Sequence, residues 1–147
     1  FFMNRIFGYV TSRSFNGLTI PVPAQNSCLR EFAASQNKTY IIPPLEHNFK
    51  DCYMQLYSVL KNIEEEDIVA MYSVGMMPSS TETCKEIINI LKLSKSSLFF
   101  ILESKLVREW NDIKNLMFSY SLKQRLDSMN QISIASLRDL TNTFNKN

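Results

Sequence analysis

The sequence predicts a single α/β domain: a small, four-stranded, mainly parallel sheet followed by a long amphipathic C-terminal helix. Three observations predict it. Four short runs rich in apolar, β-branched and aromatic residues alternate with stretches of helical periodicity, the mark of βαβ units. One of these runs, Ile68-Val69-Ala70-Met71-Tyr72, is apolar throughout, as a central parallel strand buried on both faces requires. The last third of the chain then replaces alternation with one long apolar stripe.

The first strand is expected over Arg5-Ile6-Phe7-Gly8-Tyr9-Val10, ending in the polar loop Thr11 to Gly17. A helix follows Pro21 and Pro23, with Cys28, Leu29, Phe32 and Ala33 on one face. Proline is tolerated in a first helical turn, so Pro23 can open it. Thr39-Tyr40-Ile41-Ile42 reads as a second strand, stopped by Pro43-Pro44. The next helix is placed at Asp51 to Asn62, with Met54, Leu56, Tyr57 and Leu60 as its apolar positions. The acidic run Glu64 to Asp67, read as a solvated turn, leads into the third strand. Ser79 or Ser80 can cap a helix to about Lys92 whose apolar face holds Cys84, Ile87, Ile88 and Leu91. Ser97 to Leu102 is the fourth strand. Beyond it, Leu106, Trp110, Ile113, Met117 and Tyr120 recur at spacings of four and three, while Leu116, Phe118 and Leu122 widen the apolar surface. So wide a face suits a subunit contact, and a homodimer built on it is expected. Ser133 is read as the cap of a final short helix through Leu137, Leu140 and Phe144. The domain itself is taken as residues 1–126, with 127–147 as its helical extension.

A chain of 147 residues fits one domain. Its 45% apolar and 20% charged residues are too apolar for disorder. A net charge of +2 gives no electrostatic footprint for nucleic acid. No run approaches the roughly 18 apolar residues of a membrane span, and the start lacks the features of a signal peptide. Met3 is expected to mark the natural start, with Phe1 and Phe2 as additions. Cys28, Cys52 and Cys84, odd in number and widely spaced, suit free thiols in a reducing cytoplasm.

In parallel α/β sheets, ligands bind beyond the carboxyl ends of the strands, where helix N-termini also point. That rule selects the loop Thr11-Ser12-Arg13-Ser14-Phe15-Asn16-Gly17, with Gln25 and Asn26 following on the helix. It also selects Glu46-His47-Asn48, the Tyr72-Ser73-Val74-Gly75 segment, and Glu103 after the fourth strand. Arg13 between two serines has the donors of a phosphate or carboxylate site, although the same serines commonly satisfy local backbone. Glu46 is the candidate acid–base. His47 is more simply a loop histidine, and no cluster with metal-ligand spacing accompanies it, so no metal is expected. Cys52, near a helix start, is either an activated thiol or a packed side chain. Only three glycines occur, Gly8, Gly17 and Gly75. A glycine-rich phosphate fingerprint is thus absent, and no cofactor is expected.

Two family resemblances follow from these residues. Ile6-Phe7-Gly8-Tyr9, a serine-bearing loop, Gln25 opening a helix and Asp67-Ile68-Val69-Ala70 resemble the catalytic domain of serine recombinases (resolvases and invertases) over roughly the first hundred residues. This implies a three-layer, resolvase-like or flavodoxin-like fold. The arginines by which that family activates its serine and holds the scissile phosphate are missing: Thr11 and Ser73-Val74-Gly75-Met76-Met77-Pro78 stand in their places. A second set resembles the small "sporadic carbohydrate cluster" proteins of bacterial lipopolysaccharide and capsule gene clusters. It comprises Gly8-Tyr9-Val10-x-Ser12-Arg13, Gly17 with Ile20-Pro21, Gln25-Asn26 with Arg30, Glu46, Cys52-Tyr53-Met54, and Tyr72-Ser73 with Pro78. That resemblance implies a cytoplasmic role in making or modifying a surface sugar.

The leading expectation is an enzyme or accessory subunit acting on a sugar or sugar nucleotide. Arg13, Ser12 and Ser14 would hold an anionic group, and Gln25 and Asn26 would bond sugar hydroxyls. Glu46 and Ser12 are the catalytic candidates, with Tyr72, Ser73 and Glu103 shaping the floor. The alternative is a non-catalytic partner of a glycan enzyme. A degenerate recombinase-like nucleic-acid binder ranks third, because near-neutral charge disfavours phosphate contacts.

Overall fold

The computed structural model describes residues 4–15 and 17–144; Met3 and the residues before it lie outside this range. Strand β1 (Arg5–Tyr9) leads to α1 (Val22–Ser35), β2 (Thr39–Ile41), α2 (Met54–Asn62) and β3 (Ile68–Met71). A short 3-10 turn (Val74–Met76) precedes α3 (Thr81–Ser94), β4 (Ser97–Phe100), β5 (Lys105–Val107) and α4 (Trp110–Phe144). The sheet order is β2-β1-β3-β4-β5. β1 pairs in parallel with β2 and β3, and β3 in parallel with β4. β5 is antiparallel to β4.

The alternation of side chains along each strand divides the core in two. Ile6, Ile68 and Ala70 face α1, packing with Leu29 and Ala33. Phe32 of α1 stacks on Phe99 of β4 with ring centroids 4.0 Å apart. Phe7, Val69, Met71, Leu98 and Phe100 face the opposite way, against Leu56 and Leu60 of α2 and Ile87, Ile88 and Leu91 of α3. The result is three layers, α1 on one face and α2 with α3 on the other. The start of α4 closes this second cluster through Trp110, Ile113 and Met117.

Four expectations are corrected. The sheet has five strands. Ser104 adopts a left-handed φ of 52°, and its N–H donates to the Ile101 carbonyl at 3.2 Å. This turn folds Lys105–Val107 back onto β4, so Leu106 belongs to β5 and α4 begins at Trp110. The four-residue step from Leu106 to Trp110 imitates helical spacing across that boundary. Helix α2 starts at Met54, because Asp51 is left-handed (φ 57°) inside a turn that ends at Cys52; Met54 itself is exposed. Asp67 is not a solvated turn residue: it is buried, paired with Arg5 at 2.8 Å, and accepts the Glu64 N–H at 2.9 Å. That hydrogen bond to Asp67 raises the Arg5 pKa against the opposing effect of burial. Finally, Ser133 caps nothing. It lies within a single 35-residue helix, its hydroxyl donating to the Met129 carbonyl at 3.1 Å.

Close approach explains one glycine. A Cβ on Gly75 would occupy the place of the Tyr120 hydroxyl from α4, and would stand 3.0 Å from Phe15. The Tyr120 hydroxyl is buried without a hydrogen-bond partner among the described residues. Gly75→Ala should therefore cost about 1–3 kcal/mol by overpacking. Tyr120→Phe should be near neutral, because it removes an unsatisfied buried polar atom, and should restore part of the loss in the double variant. Urea unfolding of the four proteins checks this; additive losses would place the helix elsewhere.

Candidate functional site

The order of the parallel strands reverses between β1 and β3, and ligands of open α/β sheets bind outside the carboxyl ends of such strands. Three loops meet there. They are Val10–Phe15 after β1, the Phe49–Tyr53 segment before α2, and Ser73–Met77 after β3. A cavity of about 180 Å³ lies between them, walled by Arg13, Ser14, Lys50, Asp51, Tyr53 and Gly75 among others. Asp51 and Tyr53 also border a larger open groove of about 1090 Å³ between the starts of α2 and α3, where Tyr57, Lys61, Ser80 and Thr83 contribute.

Arg13 is held in detail. Its Nε donates to Thr11 Oγ1 at 3.3 Å, Nη1 to the Phe49 carbonyl at 3.1 Å and Nη2 to the Tyr9 hydroxyl at 3.2 Å. The guanidinium carbon sits 4.6 Å from the Tyr53 ring centroid, a cation–π contact. Three of its five N–H bonds are thereby used. No carboxylate pairs with Arg13 among the described residues, whereas Arg5 pairs with Glu64 and Asp67.

Glu46 stands behind this cation rather than in either cavity. It is 2% exposed. Its Oε2 accepts the Tyr9 hydroxyl at 2.9 Å and the N–H groups of Gln55 and Leu56 at 3.1 and 3.2 Å. Oε1 accepts the His47 N–H at 2.9 Å. Burial pushes the Glu46 carboxyl up, but the bonds from His47, Tyr9, Gln55 and Leu56 together outweigh it and the pKa is lowered. Burial, then the Glu46 charge, drive the Tyr9 hydroxyl far above its ordinary range, so Tyr9 remains a donor. A carboxylate so enclosed anchors the start of α2, whose N–H groups favour negative charge. It is poorly placed to exchange protons with a ligand.

The other expected residues divide. Ser14 lines the small cavity and shares a 2.7 Å bond with Thr19. Ser12 is exposed on the same loop and lines neither cavity. Gln25 is wholly buried. Its amide nitrogen donates to the Thr11 and Ile20 carbonyls at 2.8 Å each, and its oxygen accepts the Thr11 N–H at 3.3 Å. Gln25 therefore shapes the Arg13 loop and has no free face for a sugar. Asn26 accepts the Tyr40 hydroxyl at 2.8 Å. Ser73 donates to Glu103 at 2.7 Å, and Glu103 also accepts the Val74 N–H at 3.2 Å, tying the third loop to the end of β4. Tyr72 packs beside Phe15, ring centroids 6.4 Å apart. Sequence reasoning missed Lys50, Tyr53 and Tyr57. They sit near no strand end in the sequence: Lys50 and Tyr53 lie on the irregular chain between β2 and α2, and Tyr57 follows in the first turn of α2.

This architecture is the resolvase-like α/β fold. A resolvase family site-specific recombinase from Streptococcus pneumoniae matches with a TM-score of 0.58 at 10% identity, over 88% of this chain and 94% of that one. The N-terminal catalytic domain of TP901-1 integrase matches with a TM-score of 0.57 at 14% identity, over 84% and 98%. Likeness at these identities is a likeness of fold. No family model and no curated protein matches the sequence. No helix among the described residues is long and apolar enough to cross a membrane.

Replacing Glu46 by Gln should destabilise the fold at pH 7 by about 2 kcal/mol, the scale of a charged hydrogen bond lost in a buried site. Because the folded pKa lies below the ordinary 4.5, the carboxylate's contribution is present above that value and is lost as pH falls through the folded pKa. The gap between wild type and Glu46→Gln should narrow in acid, measured by urea unfolding at pH 7 and below pH 4. A gap independent of pH would contradict the anchoring role.

Proposed function

We propose that this protein binds or modifies a sugar or sugar nucleotide in bacterial surface-carbohydrate synthesis, with the ligand's anionic group seated on Arg13. The observation that carries this reading is a guanidinium fixed by three hydrogen bonds and an aromatic ring at the fold's switch point, without a carboxylate partner among the described residues. Fixing the cation in advance removes most of the entropy cost of ordering it on binding. Lys50 and Ser14 complete the anion end. The adjoining groove, with Tyr57, Gln55, Ser79 and Ser80, offers the ring faces and hydroxyls that suit a sugar. Glu46 is then a positioning residue, acting through Tyr9 on Arg13, and Gln25, Asn26, Ser73 and Glu103 build the loops. Ser12 is the hydroxyl left free beside Arg13 and the remaining catalytic candidate. The resemblance to carbohydrate-cluster proteins supplies the biological setting, including its cytoplasmic location. Strand exchange on DNA is disfavoured by Thr11 and by the third loop, where Ser73, Val74, Met76 and Met77 are all buried and no cation is present.

A thermal-shift series against sugar phosphates, nucleotide sugars and short DNA tests the reading. A ligand at one hundred times its Kd adds about 2.7 kcal/mol to stability. The shift is expected with a sugar phosphate or nucleotide sugar and should disappear in Arg13→Ala. A shift with DNA alone would restore the nucleic-acid reading.

A second reading, a non-catalytic partner, is favoured by α4. Residues 125–143 are all exposed, a projection of roughly 28 Å at about 1.5 Å per residue. They carry Leu126, Met129, Ile132, Ile134, Leu137 and Leu140 in water. Self-association through this stripe makes the protein a homodimer; a glycan enzyme is the other occupant. Light scattering should give twice the chain mass for wild type and a monomer for the double variant Leu126→Glu/Leu140→Glu, with unchanged unfolding of the α/β body. A monomeric wild type would remove the homodimer.

A further inference from the structure

We infer that Glu46, His47 and Cys52 form a binding site for a borderline-soft divalent cation of the zinc class. One carboxylate oxygen, one imidazole nitrogen and the thiol sulfur of these residues lie within 4.8 Å of one another. Two separate devices bring them together. The Glu46 N–H donates to the Val10 carbonyl at 3.2 Å, which ties the Glu46–His47 pair to the end of β1. Cys52 returns on a turn closed by its own N–H to the Phe49 carbonyl at 3.3 Å, with Asp51 left-handed at its corner.

The donor set selects the ion. Carboxylate, imidazole and thiolate are the ligands zinc uses, whereas magnesium and calcium take oxygen donors. Tetrahedral bonds of about 2.0–2.3 Å put neighbouring ligand atoms roughly 3.3–3.7 Å apart. His47 Nδ1 and Glu46 Oε1 already stand 3.4 Å apart. Cys52 is half-buried on an irregular turn, and its sulfur lies within 4.8 Å of both other ligand atoms, at most about 1 Å beyond the spacing of bonded ligands.

Glu46 can ligate a metal and still anchor α2. Three donors fill Oε2. Oε1 holds one short bond, from the His47 N–H, and the 3.3 Å arm of the Gln55 N–H. The Gln55 N–H is shared with Oε2, to which it is shorter, and the Oε1 contact to His47 Nδ1 is long at 3.4 Å, so both are weak demands on Oε1 that a cation can displace. A cation between Oε1 and Nδ1 replaces that long contact with two metal bonds. Cys52 also lines the 1090 Å³ groove, so the fourth coordination position opens on that side. Three protein ligands with one open position is the arrangement by which zinc accepts an outside ligand.

The full chain, stripped with a chelator, is titrated with Co²⁺ and then with Zn²⁺. The expected result is one equivalent of Co²⁺, a thiolate-to-cobalt charge-transfer band, and loss of the band when Zn²⁺ is added. Cys52→Ser should abolish the band, and His47→Ala should weaken binding by about tenfold or more, the scale that even outer partners of a metal ligand carry. Cys28→Ser should leave the band intact, and melting curves establish that each variant is folded. No uptake of either ion by the folded wild type, or a band that survives in Cys52→Ser, would overturn the site. The readout involves no sugar ligand, so it stands or falls separately from the Arg13 reading.

Discussion

The rim of this sheet is organised around the buried carboxylate of Glu46. A charge removed from water is costly unless it is hydrogen-bonded on all sides, and four groups from three segments meet that demand. The Tyr9 hydroxyl comes from the end of β1, the Gln55 and Leu56 N–H groups from the first turn of α2, and the His47 N–H from the loop itself. Satisfying one anion therefore fixes where α2 begins and how the chain after β2 crosses the top of β1. The same tyrosine then accepts from Arg13. The orientation of the half-buried cation is inherited from the buried anion behind it.

Other polar side chains near the rim serve the same kind of purpose. Gln25 closes the Thr11 loop against the start of α1, and Ser73 with Glu103 ties the chain after β3 to that after β4. At the opposite end of the sheet Asp67 holds Arg5 and the turn before β3. Once these structural duties are counted, the side chains free to meet a ligand are few: Arg13, Lys50, Ser14, Ser12 and the tyrosines of α2's entry. They cluster at the reversal of strand order, where the sequence β2-β1-β3-β4 leaves the loops after β1 and β3 facing one crevice.

Helix α4 joins two environments. Through Gln124 its inner face packs over the 3-10 turn and the edge of the sheet, with Ile113 wholly buried and Tyr120 against Gly75. Beyond Gln124 the helix still carries apolar side chains, Leu126, Met129, Ile132, Ile134, Leu137 and Leu140, that nothing among the described residues covers. One continuous helix crosses this boundary, so the outer half is a direct extension of the inner one.

The sequence by itself determined the layered α/β class, the four parallel strands and the core faces of α1 and α3. Hydrophobic period is a local property, and Leu29 with Ala33, or Cys84, Ile87, Ile88 and Leu91, declare their burial without reference to any partner. It also singled out Arg13, Ser14 and Glu46 as rim residues, since strand ends are visible in the pattern. Tertiary structure alone decided what those polar residues do. Glu46 and Gln25 are chemically able to act on a ligand, and only the donors and acceptors folded around them turn them into anchors. Likewise β5 is too short, at three residues, to show a period of its own, and Ser104's left-handed turn creates it. Lys50, Cys52 and Tyr53 occupy an irregular segment with no repeat to read, so their meeting with Arg13 and His47 follows from packing rather than from spacing.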